Sequence, residues 1–126
     1  MSQFRVVTDS MGDVSVPADA KFSAQTQRAL DNFQISSLTL PDSFIDAVLH
    51  IKRAAAEVNA ELGVLDAEIS QAIIQAVDRV LAGEFRDQFP VDVFQTGSGT
   101  STNMNVNEVV ATLASEMSGL SISAND

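Results

Sequence analysis

The sequence has no cysteine and a single histidine, His50. The first absence excludes a disulfide scaffold and thiolate chemistry, and the second excludes a metal site built from clustered histidines. Basic residues are scarce: seven Lys and Arg stand against seventeen Asp and Glu, a formal net charge of -10. That balance argues against nucleic acid or an anionic membrane as a partner, because neutralising phosphates takes clustered cations. It also leaves an anionic substrate dependent on local hydrogen-bond donors or on cations from outside this chain. No stretch approaches the ~18 consecutive apolar residues of a membrane span, and residues 1–10 form neither an apolar signal core nor an Arg-rich presequence. A soluble, cytoplasmic protein is expected.

What the chain does contain fits one modest globular domain. It has 126 residues, 45% of them hydrophobic, with seven phenylalanines. Phe4 to Val7 and Val14 to Val16 favour strands, and Gly12 between them supplies a turn, so a short N-terminal hairpin or arm (residues 1–20) is predicted. A first helix over about 23–33 follows, with Ser23 placed to cap it. Ile35, Leu38 and Leu40 in the next connector are expected to pack. Ile45, Val48, Leu49, Lys52, Ala55, Val58 and Leu62 recur at helical spacing over about 42–62, with Lys52 an interruption of that face or a snorkelling stem. Ile69, Ala72, Ile73, Ala76, Val77, Val80 and Leu81 do the same over about 66–82. Gly63 and Gly83 end these two helices, which make a helical hairpin. Phe85 and Phe89 anchor the following link, and a last helix is predicted over about 103–117, closed by Gly119. The fold class is therefore mainly α: a small helical domain with an N-terminal β-hairpin. Residues 118–126 stop on polar residues without a closing element and read as an interrupted chain.

Candidate chemistry concentrates in residues 94–108. Gly97, Ser98, Gly99, Thr100 and Ser101 make a polar loop that opens a helix, offering hydroxyls, backbone N–H groups and a helix N-terminus to an anion. An N-capped turn with no guest is the alternative. Gly97-Ser98-Gly99 is neither a dinucleotide fingerprint nor a phosphate loop, since no lysine follows the glycines. Asn103, Asn105 and Asn107 are unusual just inside a helix, where asparagine is a poor former and needs partners if buried. Asn103 and Asn107 share a face; Asn105 points elsewhere. His50 has no Ser, Cys or Asp companion for a triad and reads as structural. Asp13, Asp19, Asp42 and Asp46 are scattered caps and turns without calcium-loop order. In Gln25-Thr26-Gln27-Arg28, Arg28 is either a bidentate partner for a ligand carboxylate or an internal ion-pair cation.

The order of these segments resembles the N-terminal part of class II fumarate hydratase in the fumarase/aspartase superfamily. The resemblance runs through Arg5, Asp9, Gly12, Val16 and Pro17, then Ala24 to Arg28, Asn32-Phe33 and Ile35-Ser36. It is most specific over Phe89 to Asp92, Gln95 to Thr100 and Asn103 to Glu108. Aspartases are similar here but more often carry a Gly-Gly-Ala-Gly run. Val7 departs from a usual acidic residue, and Ser23 from a frequent glycine. Ser123, Ala124, Asn125 and Asp126 align with a His-Pro-Asn-Asp stretch that forms a secondary dicarboxylate site in the family; only Asn125 and Asp126 match it.

The resemblance implies a cofactor-free, metal-free, reversible hydration of fumarate to L-malate in the tricarboxylic acid cycle, by a homotetramer whose active site draws on three subunits. It implies that Ser98, Gly99 and Thr100 bind substrate carboxylate. From spacing, Thr96, Ser101, Asn103 and Asn107 would support that loop. No catalytic residue falls within this chain: the family's base serine and histidine lie downstream, as do its central and C-terminal domains. The chain alone is expected to be inactive. An aspartate ammonia-lyase-like enzyme and a non-catalytic subunit-interaction module are the alternatives.

Overall fold

The computed structural model describes residues 3–95 and 97–126. Among them are one β-hairpin, four α-helices and a single 3-10 turn: β1 (Phe4–Asp9), β2 (Gly12–Pro17), α1 (Ala24–Asn32), α2 (Asp42–Glu61), α3 (Ala67–Leu81), the turn Arg86–Gln88, and α4 (Thr100–Ser118). None of the described helices is long and apolar enough to cross a membrane.

The helical hairpin forms for local reasons. Beyond Glu61 the chain turns through Gly63 at a φ of 75°, where the N–H of Gly63 bonds the Ala60 carbonyl and that of Val64 bonds Asn59. This paired closure satisfies carbonyls the helix end would leave open, and it needs the left-handed backbone that glycine adopts without strain. Gly83 closes α3 in the same way, through Val80 and Arg79. Inside the hairpin, the buried Ser70 hydroxyl donates to the Ala56 carbonyl at 2.8 Å and pins α3 to α2.

The core lies where α4 meets the hairpin. Leu49, Ala76, Val77, Val80, Val106, Val109, Leu113 and Ala114 are almost fully buried there. Helix α4 packs against α1, α2 and α3 in turn, so three sides of it are covered and its polar residues must find partners within the protein. Two do so across long separations. Asn105 donates to the Gln88 carbonyl at 2.9 Å, fixing the 3-10 turn. Glu108 accepts the N–H groups of Ser23, Gln25 and Thr26 at 2.9–3.0 Å.

The hairpin is antiparallel with Arg5 facing Val16 and Asp9 facing Gly12. Arg28 of α1 clamps its turn with two bonds to the Asp9 carboxylate, at 2.9 and 3.2 Å, and one to the Gly12 carbonyl. The guanidinium, together with the Met11 N–H, holds Asp9 below the usual aspartate range. Arg28 is thus an internal ion-pair cation. Arg5 ties the arm down at its other end through the carbonyls of Ala20 and Phe22.

Four expectations need correction. Ser23 occupies the N-cap position of α1 but makes no side-chain cap bond, because the Glu108 carboxylate takes that place. Ile35 and Leu38 are 65% and 59% exposed rather than packed, since their segment is held through its backbone and through Ser36. Val58 and Leu62 lie outside the contact made by α2, exposed with Phe44 and Ile51 on its outer side. Finally, α4 begins at Thr100, three residues before the predicted start, for reasons found in the loop that precedes it.

Candidate functional site

The segment leading into α4 is built around Asp92. Its carboxylate accepts the N–H of Phe94 at 2.8 Å and the hydroxyl and N–H of Ser36, and Thr39 pairs with it as a short β-bridge. Donation from Phe94 and Ser36 holds Asp92 below the ordinary aspartate value, although its burial opposes this. Gln95 then spans two elements. Its Nε2 donates to the Asp92 carbonyl at 2.8 Å, and its Oε1 accepts both the N–H and the hydroxyl of Thr102 at 2.9 and 3.0 Å. A neutral amide from outside the helix therefore caps the third residue of α4. This brace starts the helix at Thr100 despite the poor propensity of Ser, Thr and Asn.

Between Gln95 and the helix, Gly99 takes the N-cap position at a φ of 74°. Ser98 and Thr100 flank it with hydroxyls 3.0 Å apart, and both side chains are exposed. The first-turn N–H groups of Thr100 and Ser101 have no acceptor within an α-helix, and the helix dipole adds partial positive charge there. Two hydroxyls and a helix N-terminus on one surface are donors suited to a carboxylate. Ser101 is half-buried on the first turn, beside Thr102. Thr96, expected in the supporting network, lies outside the described residues.

The asparagines divide as their spacing predicts. Asn105 is buried, whereas Asn103 is exposed and Asn107 half-buried on another side. Thr100, Asn103 and Asn107 climb one face of α4, spanning about 10 Å along its axis. Asn103 Oδ1 accepts a hydrogen bond from Lys52 Nζ at 2.7 Å. Asn107 donates to the Met104 sulfur at 3.6 Å. Lys52 is a cation of the chain's own beside this face, and its place on the apolar spacing of α2 was the signal for it. Burial pushes its ammonium below the ordinary lysine value.

Between Lys52 and Asn107 on one side and the terminal segment on the other lies a cavity of about 370 Å³, lined by Lys52, Asn59, Asn107, Ser123, Asn125 and Asp126 among others. A second, of about 430 Å³, sits across the same terminal segment, with Gln25, Glu108 and Glu116 in its wall. Ser123, Ala124 and Asn125 line both. That segment is turned in on itself: the Ser123 N–H donates to the Asp126 carboxylate at 2.7 Å, and the Asn125 N–H to the Ser123 hydroxyl at 3.1 Å. Ser98 and Thr100 line neither cavity. His50 is exposed on α2.

Comparison with known proteins gives a consistent result. The model of the lyase family matches residues 12–126. Among curated relatives, the chain is 56% identical to class II fumarate hydratase of Nitrosomonas europaea, over 94% of this chain and 26% of that protein. It is 54% identical to the Halobacterium salinarum enzyme of the same name, over 92% of this chain and 25% of that protein. Among solved structures, class II fumarase from Schistosoma mansoni matches with a TM-score of 0.91 at 41% identity, covering 97% of this chain and 26% of that one. The chain spans about a quarter of the length of each of these relatives.

Proposed function

The chain belongs to the lyase family, and from that membership we propose that it forms the N-terminal part of a fumarate hydratase, which reversibly adds water across the double bond of fumarate to give L-malate. The observation that carries this reading is the Ser98–Thr100 hydroxyl pair, 3.0 Å apart across Gly99 at the N-terminus of α4. The names of the relatives support the same chemistry.

In the dehydration direction a base takes the proton from the carbon beside one carboxylate. The electron pair left behind delocalises into that carboxylate as an aci-carboxylate, and the hydroxyl on the neighbouring carbon then leaves as water with an added proton. Charge accumulates on carboxylate oxygens, so fixed donors aimed at them lower the barrier. This chain contributes Ser98, Thr100 and the adjacent N–H groups as such donors, with Gly99 shaping the turn. Gln95 braces the loop and the start of the helix through Thr102, with Ser101, Asn103 and Asn107 beyond it on the first two turns. By family resemblance the base serine and the catalytic histidine come from segments beyond this chain. The same resemblance makes the protein a homotetramer of the cytoplasm and the tricarboxylic acid cycle, with this part inactive alone. Ser123 to Asp126 stand in this reading as a reduced secondary dicarboxylate site. The Asp126 carboxylate bonded to the Ser123 N–H leaves one donor fewer for a guest.

The test is fumarate hydration by the full-length protein, followed by loss of the absorbance of the double bond, beside aspartate deamination under the same conditions. Hydration without deamination is expected. Deamination alone makes it an ammonia lyase, and malate formation by the isolated chain refutes the division of the active site.

A further inference from the structure

We infer that Lys52 is a positioning residue for the carboxylate site at the start of α4, acting through Asn103. The inference rests on the reading of that site given above.

The chain has seven Lys and Arg residues. Five are paired with carboxylates: Lys21 with Glu116, Arg28 with Asp9, Arg53 with Asp78 and Glu57, Arg79 with Glu84, and Arg86 with Asp46. Arg5 is spent on two backbone carbonyls. Lys52 alone among them bonds a neutral side-chain amide. In a chain of net charge -10, two cations among the described residues, Arg5 and Lys52, thus have no carboxylate partner, and of the two it is Lys52 that stands beside the first turns of α4.

The stem explains how it is held. Ile45, Leu49 and Ala56 are buried along the inner face of α2, and Lys52 falls on that face, three residues after Leu49 and four before Ala56. Its methylenes share the apolar stripe while the ammonium reaches the rim. Partial desolvation makes the free ammonium more costly than in water, and a nearby anion would relieve that cost.

The bond to Asn103 also has a direction. An ammonium has three donors and no acceptor, so the amide atom 2.7 Å from it must be the oxygen. That fixes the side chain and leaves the Asn103 NH2 group as the part able to meet a ligand. Asn103 is exposed and lies one turn beyond Thr100 on the same face. Lys52 therefore adds a polarised third donor to the hydroxyls of Ser98 and Thr100, and its charge acts on the carboxylate through Asn103.

The experiment compares wild type, Lys52→Met, Lys52→Arg and Asn103→Ala in the full-length protein. It reads KM and kcat for fumarate and the Kd of succinate, a dicarboxylate that cannot react. Lys52→Met keeps the stem and loses the charge; KM and succinate Kd should both rise about tenfold, with kcat changed far less. Lys52→Arg should recover most of the loss. Asn103→Ala, an exposed substitution that spares the fold, should reproduce the rise, and adding Lys52→Met to it should change little. Unchanged KM and Kd in Lys52→Met or in Asn103→Ala overturn the inference, as does a fall in kcat that Arg fails to rescue. A wild type inert towards fumarate removes the functional reading instead, and the succinate constants then decide the role of Lys52 separately.

Discussion

Helices α1 and α4 solve the same problem at their N-termini in opposite ways. Each exposes first-turn N–H groups and a positive dipole end. At α1 the need is met from within: Glu108, 5% exposed, places a full negative charge on the N–H groups of Ser23, Gln25 and Thr26. At α4 the cap is the neutral Gln95 amide, whose one partner on the helix is Thr102, while Ser98 and Thr100 stand exposed around Gly99. The first terminus is closed and anionic; the second is braced but left uncharged. A helix end supplied with its own carboxylate has no use for another, whereas one held open by a neutral brace keeps its field for a guest.

The largest effect should come from removing the built-in anion. Glu108→Ala strips three N–H groups, the buried one of Thr26 among them, of their acceptor and should cost roughly 3 kcal/mol of stability, read as a shift in the urea midpoint of this chain. A loss under about 1 kcal/mol would mean that water replaces the carboxylate and that the two termini differ less than described. Next comes the reverse operation. Gln95→Glu gives α4 the kind of anionic cap that α1 has, and in the full-length protein KM for fumarate should rise about fivefold, as a carboxylate near the dipole competes with the substrate. Tighter substrate binding in that variant would break the comparison. The smallest effect is conformational. A Cβ at Gly99 meets nothing within 4 Å, so Gly99→Ala should cost only the ~1 kcal/mol of a left-handed backbone. A thermal midpoint unchanged in that variant would show that the turn relaxes freely.

Much of this was legible in the sequence where the cause was local. The helical hairpin follows from a period of three and four residues and from Gly63 and Gly83, whose closures depend only on their own helices. The opposed faces of Asn103 and Asn105 follow from helical geometry. What escaped had distant causes. The cap of α1 comes from a residue more than 80 positions away, so Ser23, a sound local choice, is displaced. The early start of α4 depends on Gln95 reaching Thr102, a brace that propensity does not register. Ile35 and Leu38 looked like core because they are apolar, yet the Asp92 carboxylate holds that segment without burying them. Lys52 was visible as a break in an apolar stripe, but its partner could be found only once α2 and α4 were packed.

The long reach of Glu108 also bears on how the chain acquires its structure. Helix α1 has nine residues, too few to persist alone in water. Its first-turn bonds wait for α4 to dock, and the arm, clamped to α1 by Arg28, waits with it. The N-terminal third, though made first, should order late, and slow amide exchange at Gln25 and Thr26 would then report on the seating of the helix that carries Thr100.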